Sequence, residues 1–200
     1  MNHRKIILPE VLVRTILSIL LIVMPGLPGN AQTTGLTNYS RALRTVITEC
    51  EVNADSLSII IDKSDHRLTV KSGTIILKEY PVVFGRNPVD DKLRQGDRCT
   101  PEGTFYMKAK YPHSKWSKFI WINYPTRDSW RKHNAAIRQG KIPANAEIGG
   151  EIGIHGVPEG MDFIIDMKYD WTEGCVSLKN KDINELYYYI NESTPIIIKM

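Results

Sequence analysis

Cys175 lies in the run Asp170-Trp171-Thr172-Glu173-Gly174-Cys175-Val176, twenty positions after His155-Gly156. A lone cysteine beside a glycine, with a histidine available upstream, is the minimal set for thiolate nucleophilic catalysis. The imidazole takes the thiol proton, and the pair is expected to hold a thiolate at neutral pH, where a free cysteine of pKa about 8.5 is mostly protonated. Gly174 permits a tight turn, in which the consecutive N–H groups of Gly174 and Cys175 face a developing oxyanion. Thr172 either tightens that turn through its hydroxyl or simply caps it. A carboxylate beside a thiolate opposes its formation, so Glu173 is expected to point away from sulfur, toward solvent, Arg131 or Lys168. The competing reading is a buried structural cysteine and a core histidine.

The surrounding residues favour the chemical reading. His155-Gly156 followed by Thr172-Glu173-Gly174-Cys175-Val176 resembles the L,D-transpeptidase catalytic-domain (YkuD-type) family, whose signature is His-Gly and then Ser/Thr-x-Gly-Cys-Val/Ile. Gly96-Asp97-Arg98-Cys99-Thr100-Pro101-Glu102-Gly103-Thr104-Phe105 is similar to the family's Thr-Pro-x-Gly-x-Phe block, and Gly85-Arg86-Asn87-Pro88 with Lys92 fits one branch. The resemblance runs from about Ser56 to the C-terminus. Many members carry arginine or asparagine two places after the cysteine, where this chain has Ser177, and position 173 is often histidine rather than Glu173. The Asp-Trp-Thr-x-Gly-Cys form resembles a branch that includes enzymes releasing an anchored lipoprotein from peptidoglycan.

The resemblance implies a mainly β domain, α+β in content, folded as a β-sandwich or barrel with about three accessory helices. It implies that Cys175 attacks a stem-peptide amide to form a thioester while His155 holds and then returns the proton. The carbonyl just after the histidine, that of Gly156, would orient the imidazole. Arg86 and Lys92 are candidates for meeting substrate carboxylates, though each alone is equally a solvated surface charge. The implied donor is a tetrapeptide stem cut after its third, D-centred residue, and the acceptor another stem, a wall-anchored protein amine or water. With water the same residues make a hydrolase. A catalytically silent wall-binding module is a third reading, disfavoured because binding alone needs no nucleophile. No cofactor or metal is implied.

Residues 1–31 read as an address. Arg4, Lys5 and Arg14 precede the apolar run Ile16–Met24, Pro25-Gly26 breaks it, and Gly29-Asn30-Ala31 suits signal-peptidase cleavage before Gln32. The run is shorter than the roughly 20 residues of a membrane span, although an uncleaved anchor stays open. The expected location is the periplasm or cell envelope. Removing that segment takes away Arg4, Lys5, Arg14 and Glu10, so the net charge falls from +4 to +2. So weak a balance, without an arginine stripe or interleaved aromatics, argues against nucleic acid as a partner. Of the three cysteines, Cys50 and Cys99 either form a disulfide or stay as buried thiols. Zinc held by Cys99, Cys175 and His155 lacks the close ligand spacing of structural sites.

The elements that must position the pair follow from periodicity. Residues 32–55 form an N-terminal segment whose Tyr39–Cys50 stretch reads as a helix capped by Asn38 or Ser40. From there to residue 200 runs the catalytic domain. Ser58–Asp62, Arg67–Val70, Thr74–Leu77 and Tyr80–Phe84 are short β-rich runs between turns. Gly85–Gly103 is a long loop expected to wall the site. Further strands are expected at Thr104–Met107, Phe119–Asn123, up to His155, and Pro195–Lys199, with helices at Ser129–Arg138 and Lys181–Ile190, the latter capped by Asn180.

Overall fold

A computed structural model of the chain describes residues 35–200; the expected leader 1–31 and its cleavage point lie outside the described residues. Helix α1 (Leu43–Glu49) is followed by β1 (Leu57–Asp62), β2 (Arg67–Ser72), β3 (Ile75–Pro81), β4 (Gly103–Phe105), β5 (Met107–His113) and β6 (Ser117–Ile122). Then come α2 (Arg127–Arg138), β7 (Gly153–His155), α3 (Phe163–Asp166), β8 (Val176–Ser177), α4 (Asn180–Leu186) and β9 (Ile196–Lys199). The strands form two mixed sheets, β3-β2-β1-β9-β4 and β5-β6-β7-β8. Both have free edges, so the sandwich alternative is the nearer one and no barrel closes. Among the described residues, four α-helices stand where about three were expected. The added one, α3, has a single turn of four residues, too short for a periodic signal.

Alternation decides the first sheet. Leu57, Ile59 and Ile61 point inward from β1, and Ile196 and Ile198 do the same from β9, its parallel neighbour. Their burial draws both strands into one core with Leu43 and Val46 of α1, Ile120 and Ile122 of β6, Ile154 of β7 and Ile183 and Leu186 of α4. That shared core fixes the second sheet against the first and so fixes where β7 and β8 end.

The caps differ from expectation. Asn38 sends its amide to the Leu77 carbonyl at 2.8 Å instead of capping α1, which starts after Ala42 with no side-chain cap. Asn180 is the first residue of α4, and its Oδ1 accepts the Val157 N–H at 3.1 Å, tying the helix to the segment after the histidine. Helix α2 starts two residues earlier than predicted, because Thr126 and Ser129 form a reciprocal capping box.

Candidate active site

His155 ends β7, paired with Phe119 of β6 on one side and Ser177 of β8 on the other. It is 2% exposed. Its ring lies between aromatic neighbours: Trp116 stacks at 4.4 Å, Phe119 lies parallel at 5.8 Å, and Trp171 meets it edge-on at 5.7 Å. Nδ1 donates to the Gly156 carbonyl at 2.6 Å. That bond selects the tautomer with Nδ1 protonated and leaves Nε2 as the basic nitrogen. Gly156 has no room for a side chain, since a Cβ there would stand 2.2 Å from Asn180 Oδ1 and 2.7 Å from the Trp116 carbonyl.

Cys175 follows a turn that only glycine fits comfortably. Gly174 has φ of +140°, and a Cβ on it would stand 2.7 Å from the Cys99 carbonyl. Thr172 Oγ1 accepts the Gly174 N–H at 3.1 Å and donates to the Cys175 carbonyl at 2.7 Å, so its hydroxyl staples both ends of the turn. This changes the expected oxyanion site. The Gly174 N–H is already satisfied by Thr172, so of the two expected donors the Cys175 N–H is the one without an acceptor among the described residues. The half-buried thiol donates to the Glu151 carbonyl at 3.6 Å. Glu151 follows Gly149-Gly150 and has φ of +58°, a left-handed conformation uncommon for a residue with a Cβ and frequent near functional sites.

The resting charge state also differs from the expected thiolate pair. Burial pushes the Cys175 thiol up to about 11, while the Gly153 N–H and the charge of Lys92 pull it down. Burial pushes the His155 imidazole down to about 4; the Gly156 carbonyl opposes this and nearby His113 adds to it. Both groups are therefore neutral across the physiological range. Desolvation disfavours either charged form.

Two cavities share Glu151, and Cys175 lines the smaller of them. One, of about 320 Å³, is lined by Tyr111, Trp116, Phe119 and Trp121 together with Glu151 and Cys175. The other, of about 720 Å³, is polar, with Lys92, Gln95, Trp130, Glu147, Glu151 and Glu173 in its wall.

The sequence profile of the YkuD family, the L,D-transpeptidase catalytic domain, matches residues 56–198. The chain belongs to this family. Among solved structures, the helical cell shape determining protein Pgp2 from Campylobacter jejuni aligns with a TM-score of 0.54 at 19% identity, over 78% of this chain and 55% of that one. Bd1075 from Bdellovibrio bacteriovorus aligns with a TM-score of 0.49 at 26% identity, over 72% and 48%. An L,D-transpeptidase from Xylanimonas cellulosilytica aligns with a TM-score of 0.48 at 15% identity, over 72% and 60%. The likeness to Pgp2 is one of fold. The chain spans about half the length of the first two structures. Comparison with curated proteins gives no match.

Within this L,D-transpeptidase domain, the two candidate substrate-binding cations occupy unequal positions. Lys92 is 5% exposed, and its Nζ is held by Asp97 at 2.8 Å and by the Arg94 carbonyl at 3.2 Å. Its charge is thus neutralised internally while its stem reaches the polar cavity. Arg86 is half-exposed and pairs with Glu173 at 3.0 Å. Glu173 does turn from the sulfur, but toward Arg86 and Arg98 in place of Arg131 or Lys168. Sequence reasoning missed Trp116, Phe119, Arg98 and Glu151 as site residues. Only the Cys99–Thr100–Pro101 block hinted that Arg98 lay close. Among the described residues no helix is long and apolar enough to cross a membrane.

Proposed function

We propose that this is an exported peptidoglycan L,D-transpeptidase working through a Cys175 acyl-enzyme. The observation that carries this reading is the locked imidazole: Nδ1 of His155 is spent on Gly156 and Nε2 is left basic, on the strand paired with the one that Cys175 leads into, and the half-buried Cys175 lines a cavity. Cys175 Sγ bonds to the carbonyl carbon of a stem-peptide amide as its proton passes to His155 Nε2. The oxyanion is met by the Cys175 N–H, a class of contact worth about 3–4 kcal/mol to acyl transfer. His155 then protonates the departing amine, leaving a thioester. An acceptor amine attacks the thioester, gives its extra proton to His155, and the thiol is restored when that proton returns to sulfur. A second cavity that adjoins the Cys175 cavity at Glu151 suits a reaction that must hold a donor and an acceptor in turn.

Incubating purified protein with isolated sacculi and weighing the products tests the reading. Newly cross-linked stems, or protein joined to a stem, are expected. Released stems or released protein without new links would make water the acceptor and the enzyme a hydrolase. Retention on sacculi without any change in mass would leave a binding module and overturn the enzymatic reading.

A further inference from the structure

Glu173 stands two residues before Cys175 and holds two arginines of the loop wall, Arg86 and Arg98. Arg86 Nη1 lies 3.0 Å from one carboxylate oxygen and Arg98 Nε 3.5 Å from the other. The backbone brings them there. The Arg86 N–H donates to the Thr172 carbonyl at 3.1 Å, and the Asn87 N–H donates to the Arg98 carbonyl at 3.0 Å. The three segments therefore run bonded side by side, with Gly85 bridged to Thr172 and Asn87 to Cys99. They press so closely that a Cβ on Gly85 would stand 2.2 Å from the Arg98 carbonyl and 3.1 Å from Gly174 Cα. Arg98 itself is held at φ of +61°, a conformation that residues other than glycine seldom adopt unless their surroundings impose it.

Two guanidinium groups on one carboxylate leave one positive charge over, at the rim of the polar cavity that Glu173 lines. The side chains are 49%, 55% and 63% exposed for Arg86, Arg98 and Glu173. Ion pairs this wet contribute little net stability and open readily. A guanidinium fork, in contrast, keeps its geometric match to any carboxylate presented to it. The arrangement is therefore suited to exchange one carboxylate for another.

We propose that Arg86 and Arg98 form a carboxylate-binding site in which Glu173 is the resident occupant, displaced by the free carboxylate of the donor stem peptide. The identity of that ligand rests on the stem-peptide reading above, whereas the existence of the site does not.

Alkylation of Cys175 separates the two. Iodoacetate and iodoacetamide are alike in size, and only the first carries a carboxylate. Rates at Cys175, followed by peptide mass mapping at low salt, give an iodoacetate-to-iodoacetamide ratio that cancels any change in the thiol itself. Glu173→Gln is expected to raise that ratio about two- to fivefold, the range an exposed charge contact supports. The gain should vanish when Arg86→Gln and Arg98→Gln are added. A gain that persists without the arginines would be plain removal of a negative charge, and it would overturn the site. A second arm uses Cys175→Ala protein and calorimetry with a tetrapeptide stem, either as the free acid or with all its carboxylates amidated. Arg86→Gln/Arg98→Gln should weaken the free acid several-fold and leave the amide alone. Equal binding of acid and amide to the unmodified site would overturn the stem peptide as its ligand, even where the alkylation result had established the site.

Discussion

The hydroxyl of Ser177 donates to the carbonyl oxygen of Gly156 at 3.2 Å. The same oxygen receives the His155 Nδ1–H at 2.6 Å, so both its lone pairs are engaged and it cannot swing away from the ring. Ser177 is fully buried and is itself fixed by exchanging backbone hydrogen bonds with Val83 at 2.8 and 3.0 Å. Ser177→Ala should lower stability by about 0.5–1.5 kcal/mol for one lost buried hydrogen bond. It should also slow acylation of Cys175 a few-fold, because the imidazole loses half of its support. Thermal melting reads the first effect and single-turnover acylation the second. A variant that melts lower yet acylates at the wild-type rate would reduce Ser177 to packing.

The burial of the pair makes a pH prediction with a definite sign. The thiol is pushed up to about 11 and the imidazole down to about 4, so the reactive neutral pair persists between those limits. Acylation should be nearly flat from about pH 5 to 9, whereas a thiol without a base gains tenfold per unit below its pKa. His155→Ala should convert the flat profile into the rising one. Stability carries the same signature. His155 titrates lower in the folded chain than its ordinary 6.5, so its contribution is intact above that value and is lost as pH falls from 6.5 toward about 4. Asp182, raised to about 6 by burial, acts in the opposite sense below that pH. The difference between wild type and His155→Gln, measured by melting from pH 7 to 5, isolates the histidine.

Gly174→Ala should damage both fold and site. The φ of +140° strains any residue with a Cβ, and the added carbon would meet the Cys99 carbonyl at 2.7 Å. The backbone strain alone is worth about 1–3 kcal/mol. Relief by moving the turn would pull the Cys175 N–H from its place. The expected result is a lower melting temperature together with acylation slowed more than tenfold, well beyond the effect of Ser177→Ala.

What could be read in advance was whatever is local. The Thr-x-Gly-Cys run carries its turn chemistry within five residues, and the β-branched run Ile59-Ile60-Ile61 announces a strand on its own. β5 was largely missed because Met107-Lys108-Ala109-Lys110-Tyr111-Pro112-His113 shows no apolar alternation. It holds its place by pairing with β6 along most of its length. The aromatic box around His155 escaped for a related reason. Trp116 and Phe119 reach the ring only because β6 lies beside β7, and nothing in their own neighbourhood encodes that. Glu173 was given the wrong cations because the Gly85–Thr172 bridge, which carries Arg86 in, joins segments far apart in the chain.

Cys50 and Cys99 are both free in the fold, which removes the disulfide reading and leaves only Cys99 as the buried thiol of the other. Cys50 is exposed at the end of α1, and Cys99 is buried with its thiol donating to the Asp97 carbonyl at 3.3 Å. Burial, reinforced by Asp97 and Asp90, pushes the Cys99 thiol up to about 11. Thiol counting on denatured, unreduced protein should therefore give all three. In the native protein at neutral pH, Cys50 should react fast and Cys99 only as fast as the chain unfolds. A count of one would restore the disulfide.

The acyl-enzyme reading makes its sharpest demand on a β-lactam. A sulfur that opens a stem-peptide amide should open a strained lactam amide more easily, and the family resemblance points to carbapenems. Attack places negative charge on the lactam oxygen, where the Cys175 N–H is the available donor, and ring opening relieves strain without releasing a separate amine. The adduct should therefore persist as a thioester. Intact-protein mass spectrometry after exposure to a carbapenem should show one added drug mass, mapped to the peptide carrying Cys175. Cys175→Ala should show none, and its melting temperature should stay close to wild type, since one half-buried sulfur is lost. Exposed Cys50 serves as the internal control. Label on Cys50 in place of Cys175 would report general thiol reactivity and remove the support for an organised site, and folded, reduced protein that takes no label would shift the balance to a wall-binding role.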